Sequence, residues 1–254
     1  MTTKNFWQRL IHPGEASEAD REDCFWKVDL HSHLLPNIDD GVATLDETLI
    51  CLKQLADWGI KKVITTPHVS RDWYPNSAAL ILEKLATVRD LIAENQLPLT
   101  IDAAAEYMLD DFFMDMLREG ELIPFGERRF LLFETGWSQA PMNLSDMVFR
   151  IQTHGYTPVL AHPERYKYYH TDRAALQHLR DIGCLFQLNW MSLSGRYGSH
   201  VEKQARFLLQ QRWVDFIGSD MHRPGDLDTM ARLFKSGDMK LLEEQTLLNE
   251  TLLG

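Results

Sequence analysis

The chain has 254 residues, 44% of them hydrophobic and 25% charged, which is the make-up of a globular protein with a real core. Its net charge of −11 argues against nucleic-acid binding through phosphate contacts, although bound cations could reverse the field locally. No apolar run reaches the roughly 18 residues of a membrane span, so no membrane insertion is expected.

Residues 1–23 are mostly polar and lack a secretory hydrophobic region. Within them Phe6, Trp7, Leu10 and Ile11 could form one amphipathic turn docked on the body. Cys24, Cys51 and Cys184 are scattered, odd in number and free of any Cys-x-x-Cys spacing. That usage fits a reducing, cytoplasmic setting and no zinc ribbon. None of the three starts a Cys-x5-Arg phosphate loop, and Walker A, Gly-x-Ser-x-Gly and Gly-x-Gly-x-x-Gly motifs are missing.

The first expected strand, residues 25–30, leads straight into His31-Ser32-His33. In extended chain, residues i and i+2 face one side, so both imidazoles can meet at one point. Asp39-Asp40-Gly41 follows, and then an amphipathic helix over 44–58, with Thr44 and Glu47 set as a capping pair and Gly59 as its stop. Residues 62–66 are rich in β-branched side chains and end in Pro67-His68. A long helix over 77–95 precedes a third strand ending at Glu106, and a short helix over 110–119 precedes a fourth, 129–133, ending at Glu134.

A helix over 144–154 leads to a strand over 157–161 that ends in His162-Pro163-Glu164-Arg165. A helix over 172–182 is followed by a strand over 185–188, ending at Asn189. After a helix over 201–211 comes the seventh strand, 215–218, ending in Ser219-Asp220-Met221-His222. Amphipathic stretches over 227–235 and 239–253 finish the chain. Strand and helix thus alternate about seven times, which implies a parallel sheet. The polar residue always stands at the C-terminal end of its strand, as in a βα barrel with its active site on that face. No repeat or linker interrupts the pattern, so one domain is expected over 1–254, with 1–24 as an N-terminal extension.

The candidate ligands are His31, His33, Asp40, His68, Glu106, Glu134, His162, Asp220 and His222. Imidazole with carboxylate suits zinc, manganese or iron. Nine ligands exceed one ion; two or three ions sharing a carboxylate would use them. Such clusters activate water near neutral pH and neutralise phosphoryl oxygens, which together make phosphoester hydrolysis. Each residue alone has an ordinary structural explanation, such as a turn histidine at His68 or a cap at Asp220. Nine such coincidences on one face are improbable.

Asp29-Leu30-His31-Ser32-His33 with Leu34-Leu35-Pro36 and Ile38-Asp39-Asp40-Gly41, then Thr65-Thr66-Pro67-His68, Ala105-Glu106-Tyr107, Leu132-Phe133-Glu134, Ala161-His162-Pro163-Glu164-Arg165-Tyr166 and Gly218-Ser219-Asp220-Met221-His222, resemble the polymerase-and-histidinol-phosphatase (PHP) superfamily. Within it the chain is similar to the bacterial tyrosine phosphatases of capsule and exopolysaccharide gene clusters. The resemblance implies a distorted seven-stranded βα barrel of the α/β class, with a site of two to three divalent ions. Manganese is the first expectation, iron or zinc the alternatives.

It further implies that His31, His33, Glu106 and Asp220 hold one ion. Glu106 bridges to a second, completed by Glu134 and His162, and Asp40, His68 and His222 hold a third. The implied substrate is phosphotyrosine on the tail of a membrane tyrosine kinase. Arg165, three residues after His162, is the expected phosphate clamp, and His68 and Asp220 are counted with it as catalytic. Family members often carry a second arginine several residues beyond the last motif histidine. Here Arg223 follows His222 directly, so Arg223 and Arg196 are both candidates. The rival functions are a small-molecule phosphatase of the same fold, acting on a substrate such as histidinol phosphate, and a metal-bound regulatory module without turnover.

Overall fold

The computed structural model describes residues 24–254. The amphipathic turn expected around Phe6 to Ile11 lies outside them. Nine strands are present among the described residues, all paired in parallel and arranged in two sheets. The first sheet joins β1 (Val28–Leu30), β2 (Lys62–Thr65) and β4 (Thr100–Ala103) in the order β1-β2-β4. The second holds β3 (His68–Val69), β5 (Glu106–Met108), β6 (Phe130–Glu134), β7 (Thr157–Ala161), β8 (Leu185–Asn189) and β9 (Phe216–Gly218) in the order β3-β5-β6-β7-β8-β9.

Helices alternate with these strands as the sequence pattern requires: α1 (Leu45–Asp57), α2 (Ala78–Glu94), α3 (Asp111–Glu119), α4 (Leu144–Thr153), α5 (Lys167–Thr171), α6 (Arg173–Asp181), α7 (Ser199–Gln210), α8 (Leu227–Leu233) and α9 (Asp238–Glu243). Their starts follow local chemistry. The Thr44 hydroxyl accepts from the Glu47 N–H, and the Glu47 carboxylate accepts from the Ala43 N–H. Ser77, Asp110 and Asp172 cap α2, α3 and α6 in the same sense. The amphipathic stretch over 239–253 divides: α9 stops after Glu243, and a single 3-10 turn covers Asn249–Leu252.

Side-chain alternation divides two buried faces. Val28, Leu30, Ile64, Phe130, Leu132, Val159, Ala161 and Phe216 point inward and meet Phe125 and Leu252. Val63, Ile101, Leu131, Phe133, Leu160, Phe186, Leu188 and Ile217 point outward against the helices. Burial on both faces explains why the strands read as nearly continuous apolar runs. Each such side chain contributes about 1.5–3 kcal/mol when fully buried.

The sheets form an open half-barrel and do not close as one seven-stranded ladder. Between β2 and β3 stand Thr66-Pro67; proline has no N–H to give to a ladder. Between β4 and β5 stand Ala104-Ala105, where pairing is again interrupted. The seam between β1 and β9 is made largely by side chains. Asp29 accepts from the Ser219 N–H and hydroxyl. The Asn249 amide donates to Val28 O and Ile217 O and accepts from Ile217 N–H. One isolated bridge, Ser32 with Met221, adds to it. Gly218 is required there: a Cβ would lie 1.8 Å from Leu30 O and 2.9 Å from the His31 Cβ.

Candidate metal centre

Seven of the nine expected ligands come from the C-terminal end of a strand or the loop beyond it, whereas His68 and Glu106 open the short strands β3 and β5, which follow the breaks after β2 and β4. They fall into four overlapping groups whose ligand atoms lie within 4.8 Å of one another: His33, Asp40, His68 and His222; His31, His33 and Asp220; His31, Glu106 and His162; His68, Glu106 and Glu134. His31, His33, Glu106, Glu134, His162 and Asp220 are buried, whereas the Asp40 side chain is 55% exposed. The cluster therefore grades from a dry floor to an open mouth.

The floor is built from the two histidines of the first motif. His31 Nδ1–H donates to Gln187 Oε1 at 2.8 Å, and His33 Nδ1 lies 2.7 Å from the Asp39 carboxylate. Both rings are thereby turned with Nε2 toward the centre. The two Nε2 atoms are 3.4 Å apart, and each is 3.4 Å from Asp220 Oδ1. Nitrogens each about 2.1 Å from a shared ion stand at about this separation. Glu106 Oε2 lies 3.2 Å from His31, 3.6 Å from His33 and 3.1 Å from His68, and its Oε1 is 2.8 Å from His162 Nε2.

Glu106 is thus the shared carboxylate of the cluster, and its Oε2 is buried with no hydrogen-bond donor of its own. His68 Nδ1 is also 3.1 Å from Glu134, so it stands as near to Glu134 as to Glu106. His222 donates through Nδ1 to the Asp220 carbonyl, while its Nε2 is 3.7 Å from Asp40. This donor set fits divalent ions. The imidazoles of His31, His33 and His222 are oriented by oxygen partners on the far nitrogen, the arrangement that tunes metal-bound histidine, whereas the buried Nδ1 of His162 has no hydrogen-bond partner.

The electrostatics agree. Burial disfavours charge on Glu106, but His31, His68 and His162 outweigh it and hold the carboxyl well below its usual range. Asp220 is held low in the same way by His31 and His222. Burial likewise opposes a proton on His33, yet Asp39 and Asp220 raise its pKa well above the usual value. Burial opposes a proton on His31 as well, but Glu106 and Asp220 raise its pKa, whereas burial with Arg165 lowers that of His162 and burial with His33 lowers that of His222.

Sequence reasoning singled out ligands but not the residues that aim them. Gln187 Nε2 donates to Asn189 Oδ1 at 2.9 Å, and Asn189 Nδ2 donates to Asp220 Oδ2 at 2.6 Å. A chain of amides on β8 therefore links His31 to Asp220. The available signal was Gln187 itself, a polar residue at an inward position of a strand buried on both faces. Three of the expected ligands also carry left-handed backbone: His31 (φ 85°), His162 (φ 35°) and Asp220 (φ 50°). Side-chain-bearing residues reach that region at a cost, and such outliers gather at functional sites.

Arginines line the adjoining cleft of about 530 Å³, together with Asp40, Tyr197, Asp220, His222 and Asp226. Arg165 NH1 donates to Asp220 Oδ2 at 2.7 Å. Arg196 NH1 pairs with Asp226 at 2.6 Å. The Arg223 side chain is 68% exposed, with Nε 3.6 Å from Asp226. Of the three, Arg165 alone touches an expected ligand.

The profile for capsular polysaccharide synthesis, CpsB/CapC, matches residues 27–234. The chain belongs to the CpsB/CapC family. Among similar proteins, the tyrosine-protein phosphatase CpsB of Streptococcus pneumoniae is 29% identical over 206 residues, covering 77% of this chain and 82% of that one. The tyrosine-protein phosphatase YwqE of Bacillus subtilis is 26% identical over 195 residues, 77% of each. Among solved structures, the crystal structures of YwqE and of CpsB from S. pneumoniae, described as metal-dependent tyrosine phosphatases, supply a match with TM-score 0.75 at 24% identity, covering 89% of this chain and 94% of that chain. The lactonase Lmo2620 of Listeria monocytogenes matches with TM-score 0.53 at 9% identity, over 89% and 90%. These matches show a fold that this CpsB/CapC member shares with the YwqE and CpsB structures and, more distantly, with the lactonase.

Proposed function

We propose that this CpsB/CapC chain is a metal-dependent protein-tyrosine phosphatase, hydrolysing phosphotyrosine to tyrosine and inorganic phosphate. The observation that carries the reading is one arrangement: a buried histidine and carboxylate cluster opening into a cleft, with the Arg165 guanidinium at its edge. His31, His33, Glu106 and Asp220 would hold one ion, Glu106, Glu134 and His162 a second, and Asp40, His68 and His222 a third, with manganese ahead of iron or zinc. Ions held there would supply Lewis-acid stabilisation of the phosphoryl oxygens and a water acidic enough to attack at neutral pH.

The chain's own residues do the rest. The Arg165 fork offers two parallel donors to phosphate oxygens. Asp220 Oδ2 accepts from Arg165 at 2.7 Å and holds the guanidinium beside the cluster. The fully buried floor excludes bulk water, which strengthens every interaction made there. The wide mouth at Asp40, His68 and His222 admits a side chain presented by a peptide. The two sheets and their seam are read as the distorted seven-position barrel of the PHP superfamily. The substrate is read as the phosphotyrosine tail of a membrane tyrosine kinase that controls polysaccharide export, reached from the cytoplasm. No helix among the described residues is long and apolar enough to cross a membrane.

The test is an activity panel on purified protein. A phosphotyrosine peptide should be turned over faster than a phosphoserine peptide or histidinol phosphate. A chelator should abolish turnover, a divalent metal should restore it, and iodoacetamide should leave it intact. Faster turnover of histidinol phosphate would reassign the substrate. Loss on alkylation with metal retained would overturn the mechanism.

A further inference from the structure

Arg165 does not hang freely at the cleft. Its Cζ lies over two aromatic rings, 4.7 Å from the Trp137 centroid and 4.6 Å from that of Tyr197. The rings come from different loops. Trp137 follows β6 and stacks on His162, with centroids 5.5 Å apart and planes at 18°. Tyr197 sits in a tight turn between Gly195 (φ 75°) and Gly198 (φ 94°), closed by a 2.9 Å hydrogen bond from Gly198 N–H to Gly195 O. Glycine reaches such angles without strain, so the turn that carries Tyr197 forms at no steric cost.

That turn is tied back to Arg165's own segment. The Glu164 carboxylate is fully buried, and its Oε1 accepts from the Asn189 N–H at 3.1 Å and from the Ser192 hydroxyl at 2.8 Å. Ser192 belongs to the 3-10 turn Trp190–Ser194, which runs directly into Gly195. The arginine and the ring beside it are therefore fixed to one body.

We infer that Tyr197 and Trp137 are positioning residues that fix the Arg165 guanidinium for the phosphoryl group. The inference rests on the phosphatase reading above. A ring face attracts a guanidinium without competing for the divalent ions that carboxylates would bind. Asp220 also holds Arg165, through Oδ2, while its Oδ1 faces His31 and His33, and that Oδ2 is shared with the Asn189 amide. The aromatic faces fix the plane of the guanidinium, which one shared oxygen does not. The ring makes the contact, so the Tyr197 hydroxyl is dispensable.

The experiment uses metal-loaded full chain and two readouts: binding of inorganic phosphate by calorimetry, and kcat and KM on a phosphotyrosine peptide. Tyr197→Leu should weaken phosphate binding and lower kcat/KM by about three- to thirtyfold, the range of a cation–π contact, with bound metal unchanged. Tyr197→Phe should restore both. Trp137→Leu, at a half-exposed position where folding is not at stake, should act in the same direction. In an Arg165→Ala background, Tyr197→Leu should add nothing, because its effect passes through the guanidinium. Wild-type phosphate binding in both leucine variants would overturn the inference. So would damage by Tyr197→Phe equal to that of leucine, or a full Tyr197→Leu effect without Arg165. If the wild type binds phosphate but does not hydrolyse the peptide, the phosphatase reading fails, while the binding comparison still decides this one.

Discussion

The two ends of the same parallel strands are opposite in chemistry. At the N-terminal end, Phe125, Phe130, Phe216 and Leu252 fill the interior. At the C-terminal end, a few residues along, the interior holds His31, His33, Glu106, His162 and Asp220. One end is apolar and needs only shape. The other is charged and coherent only as a set, since removing one partner of a buried ionic cluster leaves the others uncompensated. A single strand such as β6 serves both, with Phe130 at its start and Glu134 at its end. Stability and chemistry are thus separated along the strand direction, and substitutions should sort by end.

The largest expected effect tests the charged end. Glu106→Gln should lower turnover by about a thousandfold or more, which is about 4 kcal/mol of transition-state stabilisation, and should remove more than one ion. Glu134→Gln should remove one. Metal stoichiometry with turnover checks this, and equal loss in both variants would contradict Glu106 as the shared ligand. The opposite end should answer in another currency. Phe130→Ala should cost about 3–5 kcal/mol of folding stability, read by denaturant melts, while the folded fraction keeps its metal and its kcat.

Arg165→Ala comes next. It should cost about 2–4 kcal/mol of transition-state stabilisation with metal content and melting unchanged, and Arg165→Lys should recover only part, because a point charge replaces a fork. Near-wild-type turnover in Arg165→Ala, or metal loss like that of His162→Ala, would refute the clamp. The smallest effect belongs to Arg223. Its side chain is largely exposed, so Arg223→Ala should stay within about 0.5 kcal/mol in stability and within about threefold in kcat/KM. A larger kinetic loss would give Arg223 the second-clamp role.

Much of this division was legible in the chain before any fold was known. Strand ends could be read because β-branched runs stop abruptly at His, Asp or Glu. The floor could be read from the pairing of His31 and His33, but not its geometry: β1 ends at Leu30 and His31 is left-handed (φ 85°), so the two rings converge across a turn and not along an extended strand. What escaped was nonlocal. Gln187 bonds His31 across 156 positions, and an amide carries no chemical signature of its own. The strand breaks were half visible: Pro67 forbids a ladder donor, but nothing in Ala104-Ala105 marks an interruption. The stretch over 239–253 is amphipathic throughout, and nothing in it marks the stop of α9 after Glu243 or the use of the Asn249 side chain on the backbones of β1 and β9.

The left-handed backbone at His31, His162 and Asp220 has an evolutionary consequence. Each such residue costs about 1–3 kcal/mol relative to relaxed chain, and glycine would relieve it. Drift under selection for folding alone would push all three positions the same way, while the apolar end stayed as it is. A descendant that has abandoned the chemistry should therefore be recognisable from its sequence: an intact β-strand pattern, the Phe125 and Phe130 cluster in place, and glycine where histidine or aspartate once closed the strand.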